Sequence, residues 1–151
     1  MREIGDSAQW LCPLGLGKFL QSCGVSASRI AELDWWESIT LHLTVPQSSE
    51  PVRLDFTCTP AQHWAARSAL GVNQSLWAGW AVKGEKESFF HAGDTGYTDG
   101  AFKAIGRALG PFSLAALPIG AYLPRVSELS FDCDEDCADP FVVQWRELHT
   151  G

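Results

Sequence analysis

Two periodicities divide this chain. Apolar and polar residues alternate in Leu41-His42-Leu43-Thr44-Val45 and again in Val52-Arg53-Leu54-Asp55-Phe56-Thr57, which is the pattern of a strand with one apolar and one polar face. The first predicts a strand over residues 40–45. The second predicts a strand that starts at Val52 and ends at Pro60, one face buried and the other turned to solvent or a site. Leu16, Phe19 and Leu20 have helical spacing and predict a helix over residues 14–23, stopped by Gly24. Phe102, Ile105 and Leu109 predict another over residues 101–109, with Asp99 as N-cap and Gly110 beyond its end. Apolar stretches over residues 30–36, 76–82, 88–92 and 112–119 read as further strands, with a turn at 83–87.

Strands in hairpins with helices between them imply a layered α/β or α+β domain, and no internal repeat is evident. The character changes after Arg125. Residues 132–139 hold five carboxylates and two cysteines, with little period until residues 141–145. The expected division is a domain over residues 1–125 and a weakly ordered acidic tail over residues 126–151.

Composition narrows the function classes. At 151 residues, 46% hydrophobic and 19% charged, the chain can build a packed core. Its 11 basic and 18 acidic residues give a net charge of −7. That balance argues against nucleic acid as a partner and against purely electrostatic docking on an anionic membrane. Cys12, Cys23 and Cys58 sit among apolar residues and read as buried thiols of a reducing compartment. The opening Met1-Arg2-Glu3-Ile4-Gly5-Asp6 has no apolar core of signal-peptide length. The longest uncharged run, residues 108–124, is broken by Pro111, Pro118 and Pro124. The expected location is intracellular, cytosolic or peripheral to membranes, and not secreted.

Candidate chemistry gathers at two strand exits. Gly93-Asp94-Thr95-Gly96 follows an apolar strand, and glycines beside a carboxylate leave room for a metal. The plainer reading of Asp94 is an Asx turn closed on its own backbone. His63, just beyond Pro60, could ligate zinc, although a lone histidine is more often structural. His42 reads as a solvent-side strand residue. His91, three residues before Asp94, is expected on the opposite face and is not counted as a ligand. Cys133 and Cys137 have zinc-compatible spacing without a second pair. No nucleophile elbow and no phosphate-cradling glycine loop is present.

Longer motifs change the picture. Glu32-Leu33-Asp34-Trp35-Trp36-Glu37, Pro60-Ala61-Gln62-His63-Trp64, Leu76-Trp77 and Phe89-Phe90-His91-Ala92-Gly93-Asp94-Thr95-Gly96-Tyr97 appear in that order. Gly110-Pro111-Phe112-Ser113-Leu114-Ala115-Ala116-Leu117-Pro118-Ile119-Gly120-Ala121-Tyr122-Leu123-Pro124-Arg125 completes the set. Together they resemble N-acylphosphatidylethanolamine-hydrolysing phospholipase D, of the metallo-β-lactamase superfamily, from about Trp10 to Arg125. The resemblance implies a partial αββα sandwich and a centre of two zinc ions. It makes His63 a zinc ligand and Asp94 the carboxylate bridging both metals. It also implies hydrolysis of a phospholipid phosphodiester, giving an N-acylethanolamine and phosphatidic acid.

The family's first metal motif, His-x-His-x-Asp-His, would lie upstream of Met1. Its last ligand histidine would lie beyond the matched stretch, and His149 is not in an equivalent context. His63 and Asp94 alone fall short of the three protein ligands of a catalytic zinc, so the lone chain is expected to be inactive. Two rival readings stand beside this one: a non-catalytic short product that binds the full-length enzyme or another partner, and another metallo-β-lactamase hydrolase acting on a lactone or a different phosphodiester. A sheet built to be covered by a missing half should also leave apolar surface open, which favours homo-oligomers.

Overall fold

The computed structural model describes residues 4–44, 50–63 and 75–118. Its framework is a five-stranded sheet whose strands lie side by side in chain order. β3 (Ser38–Leu43), β4 (Val52–Pro60), β5 (Ala78–Lys83) and β6 (Ser88–His91) are antiparallel neighbours. α2 (Asp99–Leu109) then carries the chain over one face, so that β7 (Leu114–Ala116) returns parallel to β6. A smaller unit precedes them: β1 (Trp10–Pro13) and β2 (Ile30–Leu33) form a parallel pair joined through α1 (Gly17–Ser22). The mixed α/β architecture fits part of an αββα sandwich. No helix among the described residues is long and apolar enough to cross a membrane.

The smaller unit shows where local chemistry overrode periodicity. The helix starts at Gly17 and not at residue 14, because the Leu14 N–H is held by the Leu33 carbonyl (3.0 Å) and Gly15 turns with φ +88°. Glu32, on β2, accepts the N–H groups of Gly15 (2.8 Å) and Gly17 (2.9 Å) on one carboxylate oxygen, so two donors left open at the helix start gain an anionic acceptor. A Cβ on Gly17 would lie 2.7 Å from that carboxyl carbon, so a larger residue would push the cap away. β2 ends at Leu33, three residues before the predicted limit. The Glu37 carboxylate folds back to accept the Asp34 N–H (2.8 Å), and Trp36 takes φ +72°, which turns the chain into β3.

α2 begins at Asp99, with Thr98 and not Asp99 at the N-cap position and no side-chain cap bond. Asp99 instead pairs with Lys103 one turn on (2.7 Å) and accepts the Tyr97 hydroxyl (3.0 Å). The Lys103 ammonium, and then the Tyr97 hydroxyl, hold its carboxyl below the usual range. The helix buries Ile105 against Phe90, Ala81 and Ala92, with Phe102, Leu109 and Phe112 around them. Phe90 stacks on Phe112 (ring centroids 5.2 Å apart) and meets Phe102 edge-on (6.4 Å). Burying a side chain of this size stabilises by about 1.5–3 kcal/mol, which makes this cluster the main anchor of the sheet.

The register defines both faces of the sheet. Ser38, Thr57, Ala81, Phe90 and Ala115 form one row, on the side that α2 covers. Ile39, Phe56, Val82, Phe89 and Leu114 form the adjacent row, which alternation puts on the other side. Leu41, Leu43, Val52 and Leu54 extend that second side through β3 and β4. No described helix packs on it, and none of these residues joins either buried cluster. Leu43, Val52 and Leu114 remain 40%, 38% and 41% exposed. Apolar surface is open at the margins of this face, whereas Leu41, Leu54, Phe56, Val82 and Phe89 within it are half-buried. The proposed boundary at Arg125, the tail beyond it and its Cys133 and Cys137 lie outside the described residues.

Candidate metal centre

β4 and β6 run in the same direction on either side of β5, so both deliver their C-terminal ends to one edge of the sheet. His63 lies three residues beyond the end of β4, and Asp94 three beyond the end of β6; both are exposed. The strands are next but one to each other, so something must draw their exits together across β5. Gln62 does this. Its N–H donates to the Thr95 hydroxyl (2.8 Å) and its carbonyl accepts the Gly96 N–H (2.8 Å). The residue before His63 is thus bonded to the two residues after Asp94. Thr95 closes the arrangement by donating its hydroxyl to the Gly96 carbonyl (2.8 Å).

The turn itself depends on one glycine. Gly93 has φ +69°, and a Cβ there would sit 2.9 Å from the Ala78 carbonyl oxygen at the start of β5. A side chain at that position meets both strain and a clash. Gly96 differs, since its Cβ would meet the Gln62 carbonyl at an ordinary 3.6 Å. The expected need for both glycines therefore holds for Gly93 alone. Among the described residues nothing hydrogen-bonds the Asp94 carboxylate, so the turn is not closed as an Asx turn. Its side chain is exposed on a braced backbone.

His91 was expected on the face opposite Asp94. It is the last residue of β6 and exposed, but the strand ends there and the Gly93 conformation breaks the alternation on which that comparison relied. Its Nδ1 accepts the Gly93 N–H (3.0 Å), a bond that steadies the turn before Asp94. His42 is exposed on β3, as its alternation implies. Behind the edge, Thr59 is fully buried with its hydroxyl unpartnered, and Gly79 lets it approach: a Cβ on Gly79 would lie 2.7 Å from the His91 carbonyl oxygen and 2.8 Å from that hydroxyl.

The described cysteines are no part of this chemistry. Cys12, Cys23 and Cys58 are free thiols, with Cys12 and Cys58 buried. Burial, reinforced by the Asp34 and Glu37 carboxylates, pushes the Cys58 thiol up to about 12. Burial and Glu32 push Cys12 up to about 11. Both stay protonated at neutral pH, the wrong state for a nucleophile. As donors, the imidazole of His63 and the carboxylate of Asp94 suit zinc. The described residues hold no group of three or more His, Cys, Asp or Glu side chains arranged to grip a metal.

A profile of the β-lactamase superfamily domain matches residues 1–144. The chain belongs to the β-lactamase superfamily. Within the superfamily it resembles N-acyl-phosphatidylethanolamine-hydrolyzing phospholipase D 1 of Caenorhabditis elegans, at 44% identity over 130 residues, covering 82% of this chain and 34% of that protein. The mitochondrial N-acyl-phosphatidylethanolamine-hydrolyzing phospholipase D of Saccharomyces cerevisiae is 37% identical over 122 residues, 80% of this chain and 24% of its own length. An uncharacterized protein of Mycobacterium tuberculosis is 44% identical over 115 residues, 76% of this chain and 28% of its own length. The chain thus spans about a third or less of these relatives. Superfamily membership and the names of these relatives point to a hydrolase.

Proposed function

We propose that this chain is part of a zinc-dependent phosphodiesterase that hydrolyses N-acylphosphatidylethanolamine to an N-acylethanolamine and phosphatidic acid, with His63 and Asp94 supplying two of the metal ligands. The observation that carries this reading is the Gln62 bridge, which ties the His63 and Asp94 segments together at one sheet edge. His63 and Asp94 would hold a zinc ion there, which would supply Lewis-acid chemistry for phosphodiester hydrolysis. The protein's own contribution is to brace the ligands. Gly93 sets the direction of the Asp94 loop, His91 holds the Gly93 N–H, and Thr95 anchors the loop to the strand exit that leads to His63.

Two ligands do not complete a catalytic zinc site, so the 151-residue chain by itself binds metal weakly and does not turn over substrate. Its substrate is a phospholipid met at a membrane surface, on the intracellular side. The test is a chimera in which this chain replaces the matching segment of the C. elegans relative. The expected result is zinc-dependent release of N-acylethanolamine, lost by at least ~100-fold on His63→Ala or Asp94→Asn. A folded chimera that releases none, or one indifferent to both substitutions, contradicts the assignment.

A further inference from the structure

Two threonines of β4, Thr57 and Thr59, are buried on the side of the sheet that α2 covers. Thr57 shares a hydrogen bond with the Ser38 hydroxyl (2.8 Å). Thr59 is fully buried, and among the described residues its hydroxyl has no hydrogen-bond partner. An orphaned hydroxyl costs free energy that a valine of nearly the same shape would not, so a threonine there calls for an explanation. The hydroxyl is sealed inside this chain, so a partner for it has to come from this chain.

The register shows what lies beside it. Thr59 faces Gly79 on β5, and a glycine inside a strand marks the close approach of another group. Three oxygens crowd that position. A Cβ on Gly79 would lie 2.7 Å from the His91 carbonyl oxygen, 2.8 Å from the Thr59 hydroxyl and 3.0 Å from the Ala92 carbonyl oxygen. Ala92 is 2% exposed; its N–H donates to the Ala116 carbonyl (3.0 Å), whereas no described group donates to its own carbonyl. The Thr59 hydroxyl and the Ala92 carbonyl are thus an unused donor and an unused acceptor, across a gap that no side chain fills. Ala92 stands two residues before Asp94, at the entry to the Gly93 turn.

We infer that Thr59 is a positioning residue of the metal centre: with zinc held by His63 and Asp94, its hydroxyl donates to the Ala92 carbonyl and fixes the backbone that presents Asp94. The inference rests on the proposed zinc site. In the structure that bond is open, and the Gly93 turn is braced by Gln62 and Thr95 beyond Asp94 and by the His91 Nδ1 before it. Ligation of one metal by His63 and Asp94 pulls the exits of β4 and β6 together over β5, the direction that brings Ala92 towards Thr59. Closing the bond satisfies two buried groups at once, so the sheet interior adds to metal affinity. Two consequences then oppose each other. Thr59→Val removes the orphaned hydroxyl, so the chain without metal is no less stable, yet its zinc affinity falls.

Zinc titrations of the full chain and of its Thr59→Val and Thr59→Ser variants test this. The readouts are the NMR signals of the His63 ring and the Ala92 carbonyl carbon, with urea unfolding of each chain without metal. In the wild type both signals are expected to move along one curve. Thr59→Val is expected to bind zinc ~10-fold more weakly, to leave the Ala92 carbonyl signal still, and to unfold at the same or a higher urea concentration. Thr59→Ser keeps the hydroxyl and is expected to bind within ~3-fold of the wild type. A valine variant with wild-type affinity overturns the inference and leaves the zinc site standing. So does a valine variant that loses affinity and metal-free stability together, or a serine variant as weak as the valine one, since either makes Thr59 a packing residue. A wild type whose His63 ring does not respond contradicts the zinc reading itself and overturns this inference with it.

Discussion

The two sides of the five-stranded sheet differ in what happens to their apolar residues. On the α2 side, Phe90 is 4% exposed and surrounded by Ile105, Phe102 and Phe112. On the other side no described helix lies above its neighbour Phe89, and Leu114, beside it in register, is 41% exposed. Yet the second side is the more uniformly apolar of the two. Alternation records which residues share a side; it does not record which side the rest of the chain closes. Here the α2 crossover closes the side that is part polar, and no described helix closes the apolar one.

The largest expected effect sets the two sides against each other. Phe90→Ala should cost about 3–5 kcal/mol in urea unfolding, because it empties a closed cluster, while the half-buried Phe89→Ala should cost about 1–2 kcal/mol. Equal losses would mean that the second side is as well packed as the first. Next in size is Gly79→Ala, which drives a Cβ against the His91 carbonyl and the Thr59 hydroxyl and should cost about 1–3 kcal/mol by the same measurement. Because that clash lies behind the Gly93 turn, the amide signals of Gly93 and Thr95 should shift with it.

Gly106→Ala should act in the opposite sense. Nothing lies within 4 Å of a Cβ there, on the exposed side of α2, so the helix should gain about 0.5–1 kcal/mol and the closed side should become more stable without any change at the other. Smallest at neutral pH is the contribution of the thiols. The folded chain holds the Cys58 proton to about 12, whereas an unfolded cysteine releases it near 9.0. Stability is therefore unaffected below pH 9 and falls as pH rises from there towards 12. Cys58→Ala should flatten that decline in a pH series of unfolding midpoints.

Much of the framework was legible because it rests on local period. β4, β5, β6 and α2 fall within a few residues of their predicted limits, since Val52, Leu54 and Phe56, or Phe102 and Ile105, repeat at the spacing their elements require. β1 was not foreseen: four residues ending in Pro13 carry no period, and their partner β2 lies beyond α1. The predicted strand over residues 30–36 overran for a different reason, because the carboxylates of Asp34 and Glu37 bond backbone N–H groups and turn the chain early.

The strand-exit positions of His63 and Asp94 could be read from Pro60 and Gly93. The Gln62–Thr95 bond that ties those exits together could not, since it joins residues 33 apart and neither has a distinguishing pattern. The Nδ1 bond from His91 to Gly93 was hidden by the strand alternation that ends at His91.

The central claim is that His63 and Asp94 act as one unit at the sheet edge. A zinc titration of the full chain followed by NMR tests it most directly, watching the His63 ring and the Gly93, Thr95 and Gly96 amides together. The account predicts that all of them move along a single weak binding curve, and that either His63→Ala or Asp94→Asn abolishes the whole response. A His63 ring that responds while the Gly93–Gly96 amides stay still, or a tight equivalent of zinc that survives both substitutions, would contradict it.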